Sequence, residues 1–461
     1  MFRQKILFHI FQRMLYMITS FNKNWLVPFG LLIAVSIMGI FAPSSEAIVK
    51  GGAIVGGDVA WMLAATALVL FMTPGLAFFY GGMVSRQNVI STMLQSFISM
   101  GVVSILWVFV GFSLAFGDSM GGLIGNPMTF FMFGHVGGAT HPTLSPTIPL
   151  VLFAMFQLKF AIITPALITG SFAERVRFSS YLLFICLFCL FIYAPLAHWT
   201  WHPDGFLRKW GVLDFAGGTV VHMSAGFAAL AGAIVLGRRK AHVESESHSP
   251  ANIPFVILGT GMLWFGWFGF NAGSALAANE SAAMAFTTTN TASAAAALSW
   301  VFFDVIRGRK ASALGACIGA VVGLVAITPA AGFVSVGASI FIGTSAAIIS
   351  NIAVYFKSKS RLDDTLDVFP CHGIGGAYGM LATGVFASGV GLMSGQTTTF
   401  MMHLLALVIV GSFTFIGSFA LYKLTDLILP LRVSAEQEAI GLDMSQHGES
   451  ITEDELLMER A

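Results

Sequence analysis

Phe178-Ser-Ser-Tyr-Leu-Leu-Phe-Ile-Cys-Leu-Phe-Cys-Leu-Phe-Ile-Tyr-Ala-Pro-Leu-Ala-His198 holds 21 residues without one Asp, Glu, Lys or Arg, and Arg175 and Arg177 stand just before it. As a helix rising about 1.5 Å per residue it is about 30 Å long, the thickness of a bilayer's hydrocarbon core. Apolar runs of this kind recur from residue 58 to residue 430. The whole chain agrees with them: 56% of its 461 residues are hydrophobic and 10% charged, against roughly 45–50% and 25% in a soluble domain. A soluble globular protein, a disordered chain, collagen and a coiled coil are all excluded. With 23 Lys and Arg against 22 Asp and Glu the net charge is +1, so no global basic field exists to hold nucleic acid or an acidic partner. The four cysteines, Cys186, Cys189, Cys317 and Cys371, fall in or beside apolar segments. They read as small buried hydrophobes rather than a disulfide framework.

Counting outward from the quoted run predicts an all-α polytopic membrane protein with eleven transmembrane helices. They fall near residues 58–81, 91–116, 149–172, 178–198, 215–237, 253–272, 282–304, 311–328, 333–356, 371–393 and 400–428. The seventh carries the weakest pattern, because Thr287, Thr288, Thr289 and Asn290 interrupt it. Alternate connections hold Arg86, then Arg175 and Arg177, then Arg238, Arg239 and Lys240, then Arg307, Arg309 and Lys310, then Lys357, Lys359 and Arg361. By the positive-inside rule these face the cytoplasm, which puts the mature N-terminus outside and the C-terminal tail inside the cell's inner (plasma) membrane. Ahead of the first span, Arg3, Lys5, Arg13 and Lys23 precede an apolar run from Trp25 to Phe41 and the small-residue site Ser45-Glu46-Ala47. That order reads as a secretory signal peptide over residues 1–47, the other reading being an uncleaved extra helix. The transmembrane domain then covers 48–430 and a cytoplasmic tail covers 431–461.

The fifth and tenth spans each open with an acid followed by a histidine: Asp214-Phe-Ala-Gly-Gly-Thr-Val-Val-His222 and Asp367-Val-Phe-Pro-Cys-His372. This predicts a five-plus-five repeat with an extra eleventh helix. An odd number of helices per half inverts the second half, and transport sites then lie between the repeats. Ionisable groups within spans are functional suspects. His222 and His372 fit a polar pore lining or two satisfied core histidines, while a metal site would want three or four ligands. Gly373, Gly375 and Gly376 allow another element to approach His372 closely. Phe156 and Phe160 share a helix face at i and i+4, and Trp201 stands at a span end beside His198 and Trp199. Aromatic faces attract cations, although Trp201 alone also suits an interfacial belt. Ser274 ends a span; its hydroxyl either bonds back to its own helix or accepts from a passing donor. Lys159 lies between the two phenylalanines and is expected to turn from any cation path and either snorkel outward or be partly deprotonated. No P-loop, nucleophile elbow or HExxH motif occurs, so no enzyme is indicated.

Four stretches resemble signatures of bacterial ammonium transporters of the Amt/Mep/Rh family: Asp214 to His222, Thr73-Pro-Gly-Leu-Ala-Phe-Phe-Tyr-Gly-Gly82, Gly266-Trp-Phe-Gly-Phe-Asn-Ala-Gly-Ser274 and Leu431-Arg-Val-Ser-Ala-Glu-Gln-Glu-Ala-Ile-Gly-Leu-Asp443. The resemblance covers about residues 55–450 and favours the Amt branch. It implies a homotrimer with one narrow pore per subunit, no cofactor, ammonium and ammonia as substrates, and a PII-type signal protein at the cytoplasmic face. By the same resemblance Phe156, Trp201 and Ser274 recruit ammonium, Phe160 and Phe270 form the pore gate, and His222 and His372 line the pore and relay a proton. Asp214 supports the recruitment site without touching the ion, and Trp267 lines the path. Lys159 departs from the small or neutral residue the family pattern leads one to expect. Two other readings stand beside transport: an ammonium sensor of the same fold, signalling through its tail, and a membrane metalloenzyme built on the two histidines.

Overall fold

Each of the eleven expected spans is a helical passage in the computed structural model, which describes residues 23–244 and 249–451. In order they are α1 (Gly56–Met83), α2 (Arg86–Phe116), α3 (Leu150–Phe172), α4 (178–201), α5 (Gly218–Leu236), α6 (Ile253–Ala272), α7 (Glu280–Ile306), α8 (Ala313–Ile327), α9 (Val336–Ser358), α10 (369–386) and α11 (Thr398–Ile428). Eight are long and apolar enough to cross a membrane by themselves. Of the rest, α8 is only 15 residues long, and α7 is rich in Ala and Thr. The doubtful seventh span is one continuous helix of 27 residues. Its threonines stay in the helix by hydrogen-bonding backbone carbonyls: Thr289 Oγ1 donates to Ala285 O at 2.6 Å and Thr288 Oγ1 to Ala331 O at 2.8 Å. The tenth span ends at Phe386 rather than near residue 393, where Gly389 and Gly395 take positive φ and turn the chain.

Side-chain caps fix where several helices begin. Asn252 accepts from Phe255 N, Asn279 from Ala282 N, Ser312 from Gly315 N and Ser335 from Ala338 N. Between α2 and α3 the chain makes two small antiparallel ribbons, β1 (Ser119–Met120) with β2 (Ile124–Gly125) and β3 (Thr140–His141) with β4 (Ser145–Pro149). They belong to the face opposite the basic loops.

Glycine sets the closest approaches, as expected where helices must pack without a hydrophobic drive between them. A Cβ on Gly226 of α5 would lie 2.1 Å from Gly373 N of α10, so the two repeat-related helices cross backbone to backbone. One on Gly376 would lie 2.9 Å from His222 Cβ.

On the face of the basic loops Arg175, Arg239 and Lys357 are drawn into a hydrogen-bonded layer, while Arg86, Lys240, Arg309, Lys310, Lys359 and Arg361 stay exposed. Arg239 pairs with Glu174 at 2.6 Å and Asp363 at 2.9 Å, and Lys357 pairs with Asp367 at 2.6 Å. The fully buried Arg175 donates to Asp363 O at 2.6 Å. The tail folds into this layer. Arg177 N donates to Leu431 O, Val433 N donates to Arg175 O, and Arg432 bonds Glu438 of the short helix α12 (Ala435–Ile440) as well as Leu236 O and Arg238 O. Asp443 then caps α2, accepting from Ile90 N at 3.0 Å and Ser91 N at 2.7 Å.

Met1–Ser44 is a unit separate from Ser45–Ala461. Its helix Lys23–Ile40 matches the apolar run of the expected signal peptide, and its apolar side chains from Trp25 to Ile40 are largely exposed. Arg3, Lys5 and Arg13 lie outside the described residues, as does the tail beyond Ile451.

Candidate functional site

The two helices that carry histidine start by the same device. The Asp214 carboxylate accepts from Gly217 N at 2.8 Å, Gly218 N at 2.6 Å and Thr219 N at 2.8 Å, which caps α5. Asp364 accepts from Val368 N at 3.1 Å and Phe369 N at 2.7 Å, which caps α10. His222 lies eight residues past the first cap and His372 eight past the second. The repeat therefore matches Asp214 with Asp364, a correction to the sequence pairing with Asp367. Asp367 sits at φ 58° and turns to Lys357 instead. Both histidines fall within π turns, Gly218–Met223 and Phe369–Ile374, a local widening of the helix that recurs at functional positions.

His222 Nδ1 and His372 Nδ1 are 3.3 Å apart and the rings are inclined by 27°. Two nitrogens at that distance need one proton between them. Thr328 decides which ring supplies it. Its hydroxyl donates to Leu324 O at 2.7 Å, and its oxygen accepts from Trp267 Nε1 at 2.9 Å. With the hydroxyl hydrogen committed, His222 Nε2 at 3.3 Å from the same oxygen is the donor. In neutral rings, His222 then offers a bare Nδ1, His372 donates Nδ1–H to it, and His372 Nε2 keeps a free lone pair. Trp267 stacks on His222 at 5.4 Å and 19°.

Away from the histidines the lining is aromatic. Phe160 and Phe270 lie 4.2 Å apart, Phe156 is 5.0 Å from Phe160, and Trp201 is 5.7 Å from Phe160. The Trp201 ring is held by its Nε1–H donating to Asp214 O at 3.1 Å. Ser274 takes the back-bonded alternative, donating to Phe270 O at 2.8 Å, which leaves its oxygen free to accept. A Cβ on the neighbouring Gly273 would meet the Phe156 ring at 2.8 Å, so Ser274 adjoins Phe156. The structure thus brings together Phe156, Trp201, Ser274, Phe160, Phe270, His222, His372 and Trp267, with Asp214 holding the frame. A cavity reaches from the histidines to Phe270, lined by Phe270, Trp267, His222 and His372 and otherwise by apolar side chains such as Met72, Leu76 and Ile163.

Lys159 does not line this cavity. At 7% exposure it is buried rather than snorkelling to the surface, and it makes no hydrogen bond or ion pair among the described residues. Sequence reasoning missed Thr328, which lies 106 residues from His222 and has no local spacing signal. It also missed Asp364, which an equal offset of eight from each histidine marks. All four cysteines are free, and among the described residues no three His, Cys, Asp or Glu side chains are placed to hold a metal ion.

Residues 60–452 match the model of the Ammonium Transporter Family. The chain is 46% identical over 404 residues to a putative ammonium transporter of Methanothermobacter thermautotrophicus, covering 86% of this chain and 98% of that one. It is also 46% identical to an ammonium transporter of Aquifex aeolicus, over 90% and 97% of the two chains. Among solved structures, Saccharomyces cerevisiae Mep2 superposes with a TM-score of 0.79 at 34% identity, covering 83% of this chain and 89% of that one. A sensor Amt protein superposes with a TM-score of 0.78 at 30% identity, over 85% and 98%. With a matching family model along most of its length and these relatives beside it, the chain belongs to the ammonium transporter family, whose members are polytopic membrane transporters rather than enzymes.

Proposed function

We propose that this transporter takes NH4+ at the mouth formed by Phe156, Trp201 and Ser274, deprotonates it near the Phe160–Phe270 gate, and passes NH3 along the apolar cavity while His222 and His372 relay the proton separately. The observation that carries this reading is the 3.3 Å contact between two imidazoles inside an otherwise apolar tube. Ammonium and potassium are nearly the same size and charge, so neither property separates them. Ammonium alone has hydrogen-bond donors and a removable proton. The Ser274 oxygen uses the donors, and the aromatic faces attract the cation by about 0.5–2 kcal/mol each. Past the gate no carboxylate offsets a charge, and a bare cation there costs several kcal/mol. A proton taken up at the free His372 Nε2 lets the Nδ1–H of His372 pass to His222 Nδ1, and the reverse hop returns it. Thr328, whose hydroxyl hydrogen goes to Leu324 O, fixes the His222 tautomer and carries no proton itself.

The same reading makes the protein a homotrimer of the inner membrane, N-terminus outside, with a cytoplasmic tail that meets a PII-type protein, and it makes Ile48 the first residue of the mature chain. N-terminal sequencing that returned Met1 from membrane-extracted protein would exclude the cleavage. Ammonium-evoked current in proteoliposomes tests transport: a current with the proton-coupled reversal potential is expected, and its fall to baseline on adding the cognate PII protein supports the tail's role. The similarity to a sensor Amt protein favours signalling as a second reading. Specific ammonium binding with no measurable current would select it.

A further inference from the structure

Toward the basic face the pore cavity gives way to a second one, which it meets at His372. Met83, Tyr80, Cys371 and His372 line this second cavity. Met83 ends α1, while Cys371 and His372 are neighbours in the π turn of α10. The Cys371 thiol is free and makes no hydrogen bond among the described residues, and His372 Nε2 keeps its lone pair because Nδ1 carries the proton. The hard oxygens nearby are occupied. The Tyr80 hydroxyl donates to Leu167 O at 2.9 Å, Asp364 caps α10, and Asp367 pairs with Lys357. A thiol, a thioether and an imidazole in one cavity form the donor set that selects soft monovalent metal ions over magnesium or calcium. Zinc would want a fuller tetrahedral set than this.

We propose that this cavity is a binding site for a soft monovalent metal ion, Cu(I) or its analogue Ag(I), held by Cys371 Sγ and His372 Nε2 with the Met83 thioether as a third, weaker ligand. On binding, the Cys371 S–H bond breaks and an S–metal bond forms. The proton leaves to water at the basic face, and no electron is transferred. One thiolate offsets one metal charge, so the product adds no net charge to an apolar site, which is what permits a cation to stay there. An ion so placed stands directly against His372 and stops conduction. That block rests on the proposed pore, whereas the binding does not.

The test uses silver nitrate in chloride-free buffer on the full-length protein, counting bound silver by mass spectrometry and recording ammonium-evoked current in proteoliposomes. Wild type, and a variant with Cys186, Cys189 and Cys317 changed to Ser, are expected to bind one silver per chain and to lose current at least about tenfold. Cys371→Ser is expected to bind none and to hold its own silver-free current, and Met83→Leu to bind about tenfold more weakly. Because Cys371→Ser could misfold, wild-type protein is also alkylated with and without silver, and protection of the Cys371 peptide is expected. One silver per chain in a folded Cys371→Ser variant, no protection of Cys371, or zinc bound as tightly as silver overturns the site. Stoichiometric silver with undiminished current supports the site and overturns the block. Absence of any silver-free current overturns the transport reading instead, and the metal count then judges the site by itself.

Discussion

At its aromatic end α5 is capped by Asp214, whose carboxylate accepts its hydrogen bonds from residues 217–219 of its own segment. At the basic end α10 is capped by Asp364, and the loop that holds Asp364 is tied to distant segments. Lys357 of α9 donates to Asp364 O at 2.8 Å and pairs with Asp367. Asp363 holds Arg239, which holds Glu174. Arg175 of that layer accepts the tail's Val433 N on its carbonyl. The charges register the difference. Burial pushes the Asp364 carboxyl from 3.8 up to about 6, against the pull of Lys357. Burial also pushes Asp363 upward, but the Arg239 and Arg175 guanidiniums outweigh it and hold the carboxyl down at about 2. One capping device thus serves two ends of unlike character: the loop of Asp214 is bonded to α4, α11 and Pro329 but not to the tail, whereas the loop of Asp364 belongs to the layer that the tail joins.

The largest effects are expected where the two halves meet. Replacing both His222 and His372 by Ala should abolish ammonium-evoked current while the protein still folds. His222→Asp or His372→Glu should each supply the counter-charge that lets potassium through. Wild-type current in the Ala variant, or no potassium flux in either acidic one, restores the reading of two core histidines. The caps come next. Asp214→Ala strips three backbone N–H groups of their acceptor and should cost about 1–3 kcal/mol, read as a lower melting temperature that is indifferent to removal of residues 431–461. Asp364→Ala should cost a similar amount, but its effect should change when the tail is removed; equal behaviour of the two variants would erase the contrast.

Protonation sharpens the same contrast. Because the folded pKa of Asp364 is raised, the native state keeps a proton that the unfolded chain has lost between pH 3.8 and about 6. Its contribution to stability therefore falls as pH rises through that window. Asp363 has the opposite sign: its contribution is complete above 3.8 and fades only as pH drops toward 2. Melting in detergent should show a slope between pH 4 and 6 that Asp364→Asn flattens, and an unchanged slope would assign it to another group. The smallest effect is expected at the mouth, where Trp201→Leu and Ser274→Ala should each weaken recruitment by around 1 kcal/mol, a factor of a few in apparent affinity. Unchanged uptake and unchanged methylammonium competition in the double variant would move the recruitment site elsewhere.

Most spans were legible because eight of the eleven carry their own apolar length, and the histidines because a polar ring in such a helix is conspicuous. Phe156 and Phe160 stood out by their shared helix face and Trp201 and Ser274 by their places at span ends, marks that left ordinary packing open; a resemblance to known sequences gave them roles, and the geometry then gathered them. Thr328 was invisible because hydrogen bonds between α8 and α5 leave no periodic trace. Asp364 was overlooked because Asp367 stood closer to His372, and proximity in sequence is a poorer guide than the fixed reach of a carboxylate over a helix N-terminus. The basic loops were read only as a sign of orientation, since the partners they find, Asp363 for Arg175 and Arg239 and Glu174 for Arg239, lie on other loops.

Where α5 crosses α10 at Gly226 and Gly373, the backbones touch with no side chain between them. Carriers that rock one repeat against the other need a lubricated surface at that seam, with side chains able to slip from one set of notches to the next. Here the seam is a pinned joint. On the proposed pore reading the expected consequence is kinetic: flux should rise only gently on warming, with an activation enthalpy nearer that of diffusion through a fixed channel than that of a domain rearrangement.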